Sequence, residues 1–188
     1  MTLPTLGDLP WEPALDRTDL LAAPVVAALR AWADANPQVR DQVAVTEIDP
    51  DHADTATLNE VHGLPPEASA NCVLVAGRRG EDERIAAVVV TAATRADVNT
   101  RVRKLLDVRK ASFLPTDRAV AESGMEYGGI TPVGLPAGWR VLVDSRLSDL
   151  GTLALMGSGV RQSKLLMPGP LLATMPGVEV IEDLGIER

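Results

Sequence analysis

The chain of 188 residues carries a net charge of −8, and 46% of its residues are hydrophobic whereas only 3% are aromatic. This length fits one domain with an aliphatic core, and the acidic balance argues against a protein that coats nucleic acid through a basic surface. No apolar run approaches the ~20 residues that span a bilayer, and the single cysteine, Cys72, excludes an intrachain disulfide.

The first twenty residues are rich in residues that interrupt helices and strands, namely Pro4, Gly7, Asp8, Pro10 and Pro13. We expect an extended arm over residues 1–20 and one domain over residues 21–188. The amino terminus has neither the basic nor the apolar segment of a signal peptide. Together with the lone cysteine, this predicts a cytoplasmic protein.

Apolar residues at helical spacing predict a helix over residues 24–36, which begins at Pro24, a favourable first helical position. Further helices are predicted over residues 55–62 and 116–123, and a short one near 170–174. Another helix is expected after Thr94, because Thr94 and Asp97 have the spacing of a capping box.

Alternating or continuous apolar runs predict strands over residues 42–48, 140–143, 152–156, 164–167 and 178–181. Two more runs, residues 71–76 and 84–91, flank a polar segment and predict a β-hairpin with its turn over residues 77–83. Helices and strands do not alternate strictly, so the pattern favours an α/β (α+β) fold with a mixed sheet and packed helices.

The segment over residues 122–135, ESGMEYGGITPVGL, is the most informative part of the chain. The pair Gly128 and Gly129 permits positive φ and a close backbone approach to a ligand, and Pro132 stiffens the loop. Backbone N–H groups freed in such a loop can bind an anion, which is what an ester hydrolase needs at its oxyanion. Loops of this composition are also common as plain turns, and the loop alone leaves both interpretations open.

Three further segments accompany the glycine loop: a strand that ends in an aspartate (residues 140–144), a glycine-bearing turn (157–159) and the basic stretch RKAS (109–112). Together the four segments resemble the YbaK/EbsC family of free-standing aminoacyl-tRNA editing deacylases, which is related to the editing domain inserted in bacterial prolyl-tRNA synthetases. The order of elements matches over roughly residues 24–184. The resemblance implies that family's mixed, partly barrel-like sheet with packed helices.

The resemblance implies hydrolysis of the ester in a tRNA mischarged with a small amino acid. Such proofreading is needed because the aminoacylation sites of synthetases discriminate poorly between similar amino acids. It implies no cofactor or metal, a tRNA acceptor end as partner, an aminoacyl-tRNA synthetase as a further partner, and neither DNA nor a membrane. The implied catalytic residues are Gly128, Gly129 and Ile130, the implied substrate-binding residues Asn71, Thr131, Pro132, Gly157, Ser158 and Gly159, and the tRNA-binding residues Arg101, Lys104, Arg109, Lys110 and Arg161.

One position departs from the family pattern. Family members usually place a lysine at the start of the first hairpin strand, beside the terminal adenosine and its phosphate, where this chain has Asn71. Asparagine donates a hydrogen bond but carries no charge. Three alternatives remain open: a different substrate, a cation supplied by Lys110, Arg161 or Lys164, or a protein that binds tRNA or a synthetase without hydrolysis.

Other candidate sites are weaker. Cys72 lies in an apolar strand, where a thiol is commonly inert, and His52 and His62 lack the neighbours of a metal site. The basic residues of segment 101–110 would either follow tRNA phosphates or form the solvated face of a helix. A pocket for a free small metabolite is a third possible function.

Overall fold

A computed structural model describes residues 2–187 and contains six α-helices and eleven strands over that range. The helices are α1 (Ala23–Ala35), α2 (Gln38–Gln42), α3 (Thr55–His62), α4 (Arg103–Leu105), α5 (Thr116–Ser123) and α6 (Gly169–Ala173). The strands are β1 (Glu12–Pro13), β2 (Ala44–Glu47), β3 (Ala70–Arg79), β4 (Asp82–Thr91), β5 (Thr94–Ala96), β6 (Ala111–Phe113), β7 (Arg140–Asp144), β8 (Leu153–Gly157), β9 (Ser163–Pro168), β10 (Val178–Ile181) and β11 (Gly185–Glu187).

The strands form three sheets. A five-stranded sheet has the order β10-β7-β4-β3-β6, a four-stranded sheet has the order β1-β2-β9-β8, and β11 pairs with β5. The larger sheet is mixed, because β7 runs parallel to both β4 and β10 whereas β3 is antiparallel to its two neighbours. The predicted α/β fold with a mixed sheet and packed helices is confirmed, and within residues 2–187 no sheet closes into a barrel.

Each of the two larger sheets packs apolar residues on both of its faces, which explains why so many strand residues are apolar. Alternate residues of β4 point to opposite sides: Val89 packs with α1 and the four-stranded sheet, whereas Val88 packs with the segment over residues 98–108. The other face of the four-stranded sheet is covered by α3, through Leu58, and by the amino-terminal segment. No helix within the described range is long and apolar enough to cross a membrane.

Residues 2–20, predicted as an extended arm, lie against the body of the protein. The indole N–H of Trp11 donates to the carbonyl oxygen of Leu6 at 2.9 Å, and both side chains pack on the apolar cluster around α3. Further along, β1 pairs with β2, and Leu20 is buried in the main core. The amino-terminal segment therefore contributes apolar contacts to the back of the four-stranded sheet.

Several local predictions are confirmed in their bounds. Helices α3 and α5 begin and end where the sequence indicated, and the Asp54 side chain caps α3 by accepting hydrogen bonds from the N–H groups of Ala56 and Thr57. The predicted hairpin exists, but its turn is only Gly80 and Glu81, because the ladder continues to the pair Arg79–Asp82.

The prediction that Thr94 caps a helix is wrong. Thr94 lies in β5, which pairs with β11, and this pairing holds residues 94–96 extended. The helical segment starts three residues later, where the Asp97 side chain accepts a hydrogen bond from the N–H of Thr100 at 3.1 Å. Within that segment Val98 and Val102 are buried and face the core.

The two larger sheets meet where β3 begins. Ser69 forms a parallel bridge with Leu155 of β8, and the N–H of Leu155 donates to the carbonyl oxygen of Ala68 at 2.7 Å. Beyond this contact β3 pairs with β4 on one side, while β6 reaches only Val75 to Gly77 on the other. The first residues of β3 thus form an open edge beside the four-stranded sheet.

Candidate functional site

A cavity of about 720 Å³ lies at the open edge of β3, between the two sheets. It is bounded by the start of α3, the first residues of β3, the glycine loop, and one end each of β8 and β9. The lining residues are Ala53, Asp54, Thr55, Ala56, Asn59, Pro66, Ala70, Asn71, Cys72, Val73, Ala92, Tyr127, Gly128, Ile130, Gly157 and Lys164.

Asn71 occupies one wall of this cavity. Its side-chain oxygen accepts a hydrogen bond from the hydroxyl of Thr55, the first residue of α3, at 2.7 Å. A second polar pair lies deeper on the same side, where the Ser69 hydroxyl donates to the side-chain oxygen of Asn59 at 2.8 Å. These bonds hold β3 and α3 together and fix the orientation of the Asn71 amide.

The glycine loop is fastened to the turn that follows β8. The N–H of Glu126 donates to the carbonyl oxygen of Gly159 at 2.9 Å, and the N–H of Gly159 donates to the carbonyl oxygen of Gly129 at 2.8 Å. In addition, the Glu126 carboxylate accepts a hydrogen bond from the N–H of Arg161 at 2.7 Å. The loop therefore has a fixed position at the mouth of the cavity.

The two central glycines have different surroundings. Gly128 is exposed, has a φ of +85° and faces the cavity, and no acceptor within residues 2–187 takes its N–H. Gly129 is buried, its N–H donates to the carbonyl oxygen of Glu126 at 3.0 Å, and a Cβ atom there would lie 2.5 Å from backbone atoms of Val160. Gly128 is thus the glycine whose amide can reach a ligand, while Gly129 permits the close packing of the two loops.

The structure brings four of the predicted catalytic and substrate-binding residues to the cavity wall: Asn71, Gly128, Ile130 and Gly157. Five others lie outside it, namely Gly129, Thr131, Pro132, Ser158 and Gly159. Their roles remain predictions, and their positions indicate support of the wall rather than contact with a ligand.

Ser158 illustrates this supporting position. Its side chain is fully buried, and its hydroxyl lies 2.6 Å from that of Ser163, which in turn donates to the carbonyl oxygen of Leu20 at 2.5 Å. Thr131 is also fully buried. The Ser158 hydroxyl therefore ties the turn to β9 and the amino-terminal segment.

The predicted tRNA-binding residues lie apart from the cavity, with one exception. Arg109 and Lys110 are exposed and precede β6, whose Ala111 pairs with Gly77, six residues along β3 from Asn71, which corresponds to about 20 Å. Among the other members, Lys104 is exposed and Arg101 donates to the carbonyl oxygen of Glu182 at 2.6 Å. The exception is Arg161, whose guanidinium lies beside Gly128 at the cavity mouth.

Lys164 of β9 lines the cavity. From the sequence alone it is only one of three cations that could replace the positive charge missing at Asn71. It is 6% exposed, and its ammonium donates to the carbonyl oxygen of Ala53 at 2.8 Å. Burial lowers the pKa of Lys164 from 10.5 to about 8, with Asp54 opposing this shift and Arg161 adding to it. The only sequence signal for this residue is a lysine inside an otherwise apolar strand.

Cys72 and the two histidines offer no comparable chemistry. Cys72 lines the cavity, but its apolar surroundings raise the pKa of the thiol to about 12, so it remains protonated and weakly nucleophilic. His62 lies 3.0 Å from the Asp8 carboxylate, and its ring contacts that of His52 edge to face. Within residues 2–187 no group of three or more His, Cys, Asp or Glu side chains could hold a metal ion.

Comparison with known families identifies this arrangement. The model of the aminoacyl-tRNA editing domain matches residues 49–174, about two thirds of the chain. The chain belongs to this family. The resemblance inferred from the four sequence segments is thereby confirmed, and the matched segment of the editing domain contains every residue that lines the cavity.

Solved structures agree with this assignment at the level of the fold. The editing domain superimposes on the hypothetical protein APE2540 with a TM-score of 0.70 and 18% identity, over 85% of this chain and 99% of that chain. It superimposes on a candidate trans-editing enzyme for prolyl-tRNA synthetase with a TM-score of 0.67 and 13% identity, over 86% and 97% of the two chains. No curated protein matches by sequence.

Proposed function

We propose that this editing domain is a trans-editing deacylase that hydrolyses the ester linking a small amino acid to the wrong tRNA. The observation that carries the proposal is that the free N–H of Gly128, the amide of Asn71 and the ammonium of Lys164 line one cavity. A hydrolase of this kind requires donors directed at the site where negative charge develops. The family assignment gives the class of substrate, and the cavity gives the groups that would act on it.

The size and lining of the cavity support a terminal aminoacyl-adenosine as ligand. Its volume of about 720 Å³ lies within the usual range of roughly 300–1,000 Å³ for small-molecule sites. Cys72, Val73 and Ile130 provide an apolar wall suited to a small side chain. Tyr127 is exposed at the mouth, where its ring could stack on the terminal base as aromatic residues do in RNA recognition.

The chemistry follows from these groups. A water molecule attacks the ester carbonyl carbon, and the negative charge that develops on the carbonyl oxygen is stabilised by the Gly128 N–H. The bond between that carbon and the ribose oxygen then breaks, and a proton of the attacking water passes to the ribose oxygen, which releases the free amino acid and restores the tRNA hydroxyl. Because an aminoacyl ester is already activated, positioning of the water and stabilisation of the oxyanion are sufficient for hydrolysis.

The rest of the tRNA would extend from the cavity along β3. Arg109 and Lys110 lie about 20 Å from Asn71, a distance that an acceptor stem spans, and exposed cations on this path would contact its phosphates. Such a protein acts in the cytoplasm, where tRNA is charged. The structural likeness to a candidate trans-editing enzyme for prolyl-tRNA synthetase supports a synthetase as a further partner.

A second function, tRNA binding without hydrolysis, is favoured by one observation, the uncharged Asn71 on the cavity wall. In that case the protein would hold the acceptor end without cleaving the ester. The two functions differ in one measurable product, the amino acid released from the tRNA.

The test is hydrolysis of Ala-, Cys- and Ser-tRNAs by the wild type, an Asn71→Ala variant and an Asn99→Ala variant as matched control, since Asn99 is exposed and does not line the cavity. We expect hydrolysis of at least one substrate by the wild type and the control. Asn71→Ala should lower kcat/KM about tenfold, because it removes a donor and the Thr55 contact. Tight binding of all three tRNAs with no amino acid released would establish the binding function instead.

A further inference from the structure

Strand β9 places one charged side chain in an apolar setting. Of its residues Ser163–Pro168, Lys164 is buried alongside Leu165, Leu166 and Met167. Burial of a cation costs free energy unless a partner compensates for its lost hydration, and lysine is rarely buried without such a partner. Lys164 is also the only cation among the cavity's lining residues within the described chain.

The ammonium of Lys164 is held in place by one hydrogen bond. It donates to the carbonyl oxygen of Ala53, just before α3, at 2.8 Å. An ammonium has three N–H donors, so two remain available toward the cavity. A single fixed bond of this kind orients the group while leaving it able to bind a second acceptor.

The strand register directs Lys164 toward the glycine loop. Lys164 lies directly opposite Gly157 in the antiparallel pair β8–β9, and such partners project to the same face of a sheet. On that face a Cβ atom at Gly157 would lie 2.3 Å from the carbonyl oxygen of Gly129 and 2.7 Å from that of Ile130. The stem of Lys164 therefore leaves the sheet beside the loop that carries Gly128.

The charged groups around Lys164 are few. Asp54 at the start of α3 favours the ammonium form, and Arg161 in the turn after β8 disfavours it. Asn71 and Thr55, on the opposite elements, are uncharged, and the Cys72 thiol is protonated. No anion within the described residues forms an ion pair with Lys164, so its charge remains available to a ligand.

We propose that Lys164 is a catalytic residue of the deacylase, whose ammonium stabilises the ester oxyanion together with the Gly128 N–H. This inference rests on the proposed function. It assigns to Lys164 of β9 the positive charge that stabilises the oxyanion. A cation that acts on the oxyanion strengthens its contact in the transition state, so its removal lowers kcat more than it raises KM.

The test compares the wild type with Lys164→Met, which keeps the length of the side chain without its charge, and with Arg30→Met, which removes an exposed cation from α1. Single-turnover hydrolysis of the preferred aminoacyl-tRNA should slow about 100-fold in Lys164→Met and remain unchanged in Arg30→Met. Adding Asn71→Lys to Lys164→Met returns a cation to the same cavity and should recover at least tenfold. Uncatalysed ester hydrolysis is measured without enzyme and subtracted from each rate.

Three results would overturn the role of Lys164: a kcat of Lys164→Met within threefold of wild type, an effect confined to KM, or a loss that Asn71→Lys does not recover. The last result would indicate a structural role. Failure of the proposed function gives a different result from failure of the Lys164 role, because the wild type would then hydrolyse none of the substrates. In that case the role of Lys164 is contradicted as well.

Discussion

The residues after α5 border two cavities that differ in charge. The first, of about 720 Å³, is lined by Asp54, Lys164 and several polar groups. The second, of about 380 Å³, lies between α1 and the segment over residues 132–139, and no ionisable side chain among residues 2–187 lines it. Trp32 and Trp139 form much of its wall. A well-formed cavity is therefore not sufficient to mark a site, and the placement of donors and charge assigns the chemistry to the first.

The largest effect is expected from a methyl group added at Gly157, where the end of β8 packs on the glycine loop beside the first cavity. In Gly157→Ala the new methyl group would lie 2.3 Å from the carbonyl oxygen of Gly129, and forced overpacking of this kind costs about 3 kcal/mol. We expect a Tm lower by roughly 5–10 °C and loss of most deacylation. Gly151→Asn is the control, because no atom lies within 4 Å of its Cβ position and asparagine tolerates positive φ. A fully active Gly157→Ala would show that the loop need not pack closely on β8.

The charge in the first cavity should make stability depend on pH. Because the folded-state pKa of Lys164 is lowered to about 8 from 10.5, the unfolded chain binds more protons between these values. The unfolding free energy should therefore rise with pH across this window, by at most roughly 3 kcal/mol, relative to Lys164→Met. Urea denaturation of both proteins at a series of pH values measures this difference. Parallel pH profiles would mean that the Lys164 ammonium is solvated.

A smaller effect is expected outside both cavities, on the basic surface before β6. Arg109→Gln with Lys110→Gln should weaken binding of an aminoacyl-tRNA about tenfold at low salt and reduce the salt slope by about 2. The rate at saturating substrate should stay unchanged, because the cluster lies about 20 Å from Asn71. Filter binding across a salt series measures the slope, and an unaltered slope would show that these residues are only a solvated surface.

The smallest effect is expected in the second cavity. The indole N–H of Trp32 is buried and has no hydrogen-bond partner in the described part of the chain, so Trp32→Phe removes an unsatisfied donor and some packing volume at once. These two changes oppose each other, and we expect the unfolding free energy to change by at most about 1 kcal/mol. Deacylation should remain within about twofold of wild type. A large loss of kcat would move the functional site toward this cavity.

The sequence predicted local structure well wherever a local signal decides it. The helix predicted over residues 55–62 is α3, and Asp54 and Gly63 cap its two ends in the structure. Thr94 was misassigned because a distant strand, β11, pairs with it and holds it extended. Local capping patterns carry no trace of such long-range pairing.

The candidate site was likewise predictable where local sequence signals define it and not where long-range pairing does. The glycine loop and the start of β3 could be recognised from their own residues, and the structure places Gly128 and Asn71 in one cavity. The position of Lys164 depends on β9 lying between β2 and β8 and on its register opposite Gly157. The pairing of β2 with β9 and the hydrogen bond from Lys164 to Ala53 join segments far apart in the chain, so the lysine could be named but not placed.

The central claim is that the aminoacyl-adenosine end of a tRNA binds in the first cavity. Titration of the ¹⁵N-labelled protein with alanyl-adenosine joined by an amide, which is not hydrolysed, tests it directly by NMR. The account predicts saturable shifts of the backbone N–H signals of Asn71, Gly128 and Gly157, with Val133 and Gly138 in the second cavity unchanged. Shifts confined to Val133 and Gly138, or no saturable shift at Asn71 and Gly128, would contradict it.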